Sequence, residues 1–204
     1  MVTQDDIIRR TVPVEVWNEC LAWAEKIRVG KSYSNSRQVL KSNQDSFGAV
    51  AEIYYAKWIE KSLIPGKWNG LKIHSGGDAG DIELAFGKWI DVKARKIKKP
   101  FAREEWELDS YVNIDHKNLK DTVGYYMFAT WCEPIKQISL LGWLATDEIN
   151  NRPSSRVVKA GETMFGSVVA QNDLTMIQVR DLNPLTSFYY DQQPKNAVDN
   201  WITV

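Results

Sequence analysis

The stretch Asp81-Ile82-Glu83-Leu84-Ala85-Phe86-Gly87-Lys88-Trp89-Ile90-Asp91-Val92-Lys93-Ala94 decides how this chain folds. Two alternating runs flank Gly87, and a period of two marks half-buried strands. In the second run Ile90, Val92 and Ala94 share one face, while Asp91, Lys93 and Arg95 share the other. The register between the runs decides which charged residues meet. A strict two-residue turn at Gly87-Lys88 sets Asp81 opposite Ala94, on the apolar face. A three-residue connection, Phe86-Gly87-Lys88, sets Asp81 opposite Lys93 and Glu83 opposite Asp91. It also gathers Ile82 and Leu84 with Ile90 and Val92. A slip of one residue turns every side chain to the wrong face, so the longer turn or a bulge is expected.

That register carries chemistry. Two carboxylates close together repel unless a cation lies between them. An all-oxygen set suits Mg²⁺ or Mn²⁺, which polarise a phosphoryl oxygen and activate a water. Lys93, alongside, can hold the attacking water or stabilise charge that develops on phosphorus. Such a set is what phosphodiester hydrolysis requires. Glu52 joins it from outside the hairpin. Its neighbours at helical spacing are Gly48, Tyr55, Ala56 and Ile59. A carboxylate on such a face is costly unless paired or metal-bound, directly or through water.

Working outward, Val14, Trp17, Leu21, Ala24 and Ile27 repeat at helical spacing, and Pro13 suits a helix start over 14–28. Residues 30–44 are polar and read as a loop. A second helix is expected over 45–62, capped by Asp45 or Ser46, with Pro65-Gly66 marking its end. Strands follow at 71–75, 81–86, 89–94 and 108–114, with a helical turn at 115–121. Residues 123–131 and 135–144 are aromatic and β-branched and read as paired central strands. Thr146 can cap a short helix over 147–150. Weaker strands at 156–160 and 174–180 precede a tail after Pro184 that reads as irregular. The order implies an α/β fold of α+β character, with a sheet flanked by helices. One domain over 1–204 is expected: an N-terminal helix and loop (1–44), a core (45–145) and a C-terminal extension (146–204).

Composition bounds the function class. The chain has 204 residues, 44% hydrophobic and 25% charged, enough for a substantial core. No apolar run is long enough to span a bilayer, and the N-terminus lacks the apolar stretch of a signal peptide. The cytoplasm is the expected location, or a host cytoplasm if the chain is phage-encoded. Cys20 and Cys132 lack zinc spacing and read as buried thiols. His74 and His116 lie in no catalytic or metal motif, and His116 reads as a surface or capping residue. Lysines and arginines total 26, as do aspartates and glutamates, so no overall basic footprint advertises nucleic acid. The charge is uneven, however. Lys93, Arg95, Lys96, Lys98, Lys99 and Arg103 crowd one stretch, where backbone phosphates are the expected contact. Lys31 and Arg37 are weaker candidates. Trp106 and Tyr111 are expected in core or sheet packing rather than stacked on bases. Asp78 reads as a turn residue, and Glu83 as a rim or exposed one.

Glu52 on a helix, Asp81 on a strand and Asp91-Val92-Lys93 on the next resemble the PD-(D/E)XK nuclease superfamily, the restriction-endonuclease-like fold. Gly76-Gly77-Asp78-Ala79-Gly80-Asp81 is similar to the glycine-rich approach to the Asp in Mrr-like and resolvase-like members, with Gly80 where the family has Pro. The resemblance covers residues 45–95. It implies a central mixed sheet and Mg²⁺-dependent DNA cleavage, with Mn²⁺ able to substitute and a homodimer possible. The implied catalytic set is Glu52, Asp81, Asp91 and Lys93. The implied metal ligands are Glu52, Asp81, Asp91 and the Val92 carbonyl. The size suits a repair, recombination or phage-type nuclease by fold analogy. The rival expectation is a catalytically silent nucleic-acid-binding or structural module on the same fold.

Overall fold

Hydrophobic periodicity sets the first elements. Strand β1 (Ile8–Thr11) leads into helices α1 (Val14–Gly30) and α2 (Gln44–Lys61). Next come β2 (Gly66–Trp68), β3 (Ile82–Leu84), β4 (Trp89–Ile97), the short helix α3 (Glu104–Leu108) and β5 (Tyr111–Asp115). The chain continues through β6 (Val123–Cys132), β7 (Gln137–Ala145), β8 (Arg156–Val158), β9 (Thr163–Phe165) and β10 (Val168–Val169). It ends in β11 (Leu174–Gln178) and α4 (Leu185–Asp191). The computed structural model describes residues 1–30, 44–68, 70–71, 80–85, 87–116, 119, 121–165 and 168–191. Lys31, Arg37, His74 and Asp78, most of the strand expected at 71–75 and part of the turn expected at 115–121 lie outside them.

Six strands form one sheet in the order β1-β7-β6-β4-β3-β2. Only β4 and β6 run parallel; the other neighbours are antiparallel, so the sheet is mixed. A second sheet of three strands has the order β5-β11-β8. Two apolar clusters define the layers. On one face of the large sheet, Ile90, Val92, Met127, Trp131 and Leu140 pack against Trp17, Cys20, Val50, Tyr55 and Phe188 from α1, α2 and α4. On the other, Tyr126, Phe128, Leu141 and Leu144 pack against Val112, Ile114 and Ile177 of the small sheet. The architecture is α+β, with a mixed central sheet between helices and a smaller sheet. No helix among the described residues is long and apolar enough to cross a membrane.

The expected pairing of the two aromatic strands is present as β6–β7. Its register slips once, where Phe128 faces Gly142 but Ala129 faces Leu140. Tyr55 holds that slip to α2. Its buried hydroxyl donates to the Phe128 carbonyl at 2.5 Å. A Cβ on Gly142 would lie 2.6 Å from the Asn183 carbonyl oxygen, so only glycine lets the chain after β11 close on β7. Trp131 is fully buried and stacks on Trp17, ring centroids 4.8 Å apart.

Several expectations are corrected. No element was assigned to residues 8–11, yet β1 pairs with β7 at the sheet's edge. The tail after Pro184 is helical over Leu185–Asp191, because Leu185 and Phe188, three residues apart, both bury in the core. Asp45 and Ser46 lie inside the first turn of α2 rather than before it. Residues 104–108 are helical ahead of the strand read at 108–114. After Thr146 there is a single 3₁₀ turn, Thr146–Glu148.

Candidate active site

The β3–β4 hairpin builds the site. Ile82 faces Ile90 and Glu83 faces Trp89. The Leu84 N–H donates to the Lys88 carbonyl at 2.8 Å, so the connection is Ala85 to Gly87. Gly87 sits at φ 73°, a left-handed conformation that a tight turn requires and glycine adopts without strain. The pairing is displaced by two residues from the expected register, in which Glu83 faced Asp91. Two is an even number, so the faces are unchanged. Ile82, Leu84, Ile90 and Val92 all bury on the helix side.

At Asp81 the ladder gives way. The Asp81 N–H still donates to the Ile90 carbonyl at 2.8 Å. Its side chain then turns along the sheet edge, and Oδ2 accepts the Val92 N–H at 2.6 Å. β3 does not extend past Ile82, so this carboxylate takes the place of a strand neighbour for β4. Alternation puts the Val92 carbonyl on the same edge. Gly80 makes the approach possible: a Cβ there would lie 2.7 Å from the Trp89 Cβ.

Asp91 is 6% exposed and its Oδ2 is ion-paired with Lys93 Nζ. The ammonium lies 5.9 Å from the centroid of the Tyr126 ring, which floors the pair. Tyr126 is fully buried and faces Asp91 across the parallel ladder. Sequence reasoning gave it no role, since nothing in an aromatic strand singles out one ring.

Glu52 comes from a helix. It is half-buried on α2, which packs on the face carrying Ile90 and Val92. Asp91 and Lys93 project to the opposite face. The hairpin brings Asp81, Asp91 and Lys93 together, and Glu52 stands on α2. There its charge, with that of Glu19, adds to burial in pushing the Cys20 thiol up to about 12. Among the described residues no three Asp, Glu, His or Cys side chains gather as a metal site. The oxygen donors at the hairpin edge are Asp81, Asp91 and the Val92 carbonyl.

The basic run divides. Arg95 was expected to meet nucleic acid, but it turns inward. Its guanidinium donates to the Tyr111 carbonyl at 2.5 Å and to Ser110 Oγ. Burial pulls it down to about 10, against the nearby Glu107 carboxylate. Lys96 is paired with Glu133. Lys98, Lys99 and Arg103 are exposed. Trp106, expected in the core, is 52% exposed, with the Arg103 guanidinium 5.6 Å from its ring centroid. Tyr111 is half-buried, 5.8 Å from the Phe165 ring. His116 Nε2 lies 2.8 Å from Thr175 Oγ1, tying the loop after β5 to β11. Glu83 is half-buried opposite Trp89, beside the site rather than in it. No protein-family model, no curated protein and no solved structure matches this chain.

Proposed function

We propose that the chain is a metal-dependent nuclease that hydrolyses phosphodiester bonds in nucleic acid, with DNA the favoured substrate. One observation carries this reading: the Asp81 carboxylate rests on the Val92 peptide, next to the buried Asp91–Lys93 pair. Two acids and an ammonium on one hairpin edge are the groups such a reaction uses. Asp81, Asp91 and the Val92 carbonyl would hold Mg²⁺ or Mn²⁺, hard ions that prefer oxygen. When bound, such an ion supplies a polarised phosphoryl oxygen and a more acidic water.

The remaining work falls to the chain's own residues. The Lys93 ammonium donates to a phosphate oxygen or to the attacking water and offsets charge on phosphorus. Asp91 holds that ammonium in place, and Tyr126 keeps water out from beneath it. Asp81 is fixed by the Val92 N–H. Glu52, in the helix layer, is not part of the set in this reading.

The test is cleavage of linear, nicked, branched and single-stranded DNA and of RNA, with Mg²⁺ or Mn²⁺, against Lys93→Ala and Asp91→Asn. Cleavage that needs the ion and vanishes in both variants supports the proposal. A purified protein that cuts none of these with either ion sinks it. A non-catalytic binding module is the second reading, favoured by the direct Asp91–Lys93 pair, which already neutralises both side chains. Calorimetry showing no heat of Mn²⁺ binding would select it.

A further inference from the structure

Trp106 stands out from the other tryptophans among the described residues. An exposed indole covers itself with apolar neighbours or a partner, yet Trp106 is 52% exposed. Its described ring partner is the Arg103 guanidinium, 5.6 Å from the centroid. Lys98 and Lys99, just beyond β4, are exposed as well. Glu105, next to Trp106 in the chain, is exposed and moderates the positive charge.

The position of this patch is fixed by Arg95. Arg95 shares a face of β4 with Asp91 and Lys93, and it is two residues beyond Lys93. It donates to Ser110 Oγ and to the Tyr111 carbonyl, immediately after α3. Ser110 Oγ in turn donates to the Glu107 carbonyl at 2.5 Å, inside α3. Glu107 also binds Arg9. The helix that carries Trp106 is thereby clamped to the Asp91–Lys93 face of the sheet.

We propose that Trp106 and Arg103 form a stacking platform for an unpaired nucleobase, with Lys98 and Lys99 on the adjoining phosphates. This rests on the nuclease reading and names its substrate class: nucleic acid with a single-stranded segment, such as a free strand, flap or overhang. In continuous duplex the bases are stacked on one another and offer no face to an indole. An unpaired base offers one, and stacking on an aromatic ring or a guanidinium plane is indifferent to sequence. The exposed lysines supply the electrostatic part of the contact.

The experiment is fluorescence anisotropy of labelled oligo(dT), oligo(U) and a blunt DNA duplex in EDTA, with wild type, Trp106→Ala and Trp106→Phe. Wild type should favour the single strands. Trp106→Ala should weaken single-strand binding about tenfold and leave duplex binding within about twofold, and Trp106→Phe should recover most of the loss. The two oligonucleotides tell whether the bound strand is DNA or RNA. Equal binding of single strands by wild type and Trp106→Ala overturns the platform. So does equal loss for duplex and single strand, a wild-type preference for blunt duplex, or no binding at all. Single-strand binding that depends on Trp106, in a protein that cuts nothing with Mg²⁺ or Mn²⁺, keeps the platform and removes the nuclease reading. Cleavage that persists unchanged in Trp106→Ala on every single-stranded substrate does the reverse.

Discussion

The Asp81 carboxylate and the Val92 peptide form one unit: Oδ2 accepts the N–H at 2.6 Å where β3 has ended and β4 has not. A side chain here completes a sheet and presents an acid at the same time. The two roles separate by substitution. Asp81→Asn keeps an acceptor for the Val92 N–H and should unfold in urea close to wild type, while ion-dependent cleavage is lost. Asp81→Ala removes the acceptor too and should cost about 1–3 kcal/mol, since a hydrogen bond to a charged group is among the stronger ones. Equal stability of Asp81→Ala and wild type would mean that the bond holds nothing.

Gly80 is the hinge of that arrangement. A methyl group there would meet Trp89 Cβ at 2.7 Å and the Ile90 carbonyl at 3.0 Å. Gly80→Ala should lower stability by about 1–3 kcal/mol, as overpacking does, and displace Asp81 from Val92. Thermal melting and metal-dependent cleavage should fall together.

Arg95 and the lysines beyond it should behave differently, although the sequence groups them. Arg95→Ala should destabilise the fold by about 2–4 kcal/mol, because it strips buried groups at Ser110 and Tyr111 of a charged donor. Lys98→Ala and Lys99→Ala should leave melting unchanged and each lower the salt dependence of nucleic-acid binding, by about 0.7–0.9 in log–log slope. A fold-neutral Arg95→Ala would place that side chain in solvent.

Cys20 gives a pH test. Burial, with the charges of Glu19 and Glu52 added, pushes its thiol from the ordinary 9.0 up to about 12 in the folded chain. The folded value is the higher, so the stability tied to the neutral thiol is complete below pH 9. It is lost as pH climbs from 9 toward 12. Thiol titration at pH 8 should find Cys20 inert in native protein and reactive in urea. Glu52→Gln should lower the pH at which it begins to react. A Cys20 that reacts at once at pH 8 would show the α1–α2 contact to be open.

The hairpin faces were legible because apolar residues occur at every second position, and burial admits only one parity. The absolute register was not. Ala85 still donates to the Pro65 carbonyl at 3.1 Å on the β2 side, but on the β4 side Leu84 already closes the turn on the Lys88 carbonyl. α4 was hidden because Thr, Phe and Tyr favour strands, and two buried side chains overrule that propensity. The approach of Asp81 to the Asp91–Lys93 strand followed from the alternation of the two runs and the parity of their register. Arg95 shows a limit: alternation assigns its face, and only the distant segment Ser110-Tyr111 decides that it is buried.

The parallel pairing of β4 with β6 has a topological consequence. Chain leaving the end of β4 must travel back the length of the sheet before it enters β6, so residues 98–122 are a crossover. Their length is not tied to any register in the large sheet. Trp106, Arg103 and the two free lysines all belong to this segment. In the proposed reading the reacting groups lie in the hairpin and the base platform lies in the return path. A replacement of residues 98–106 that preserves Arg95, Glu107 and Ser110 is the natural place to graft a new preference for nucleic-acid shape.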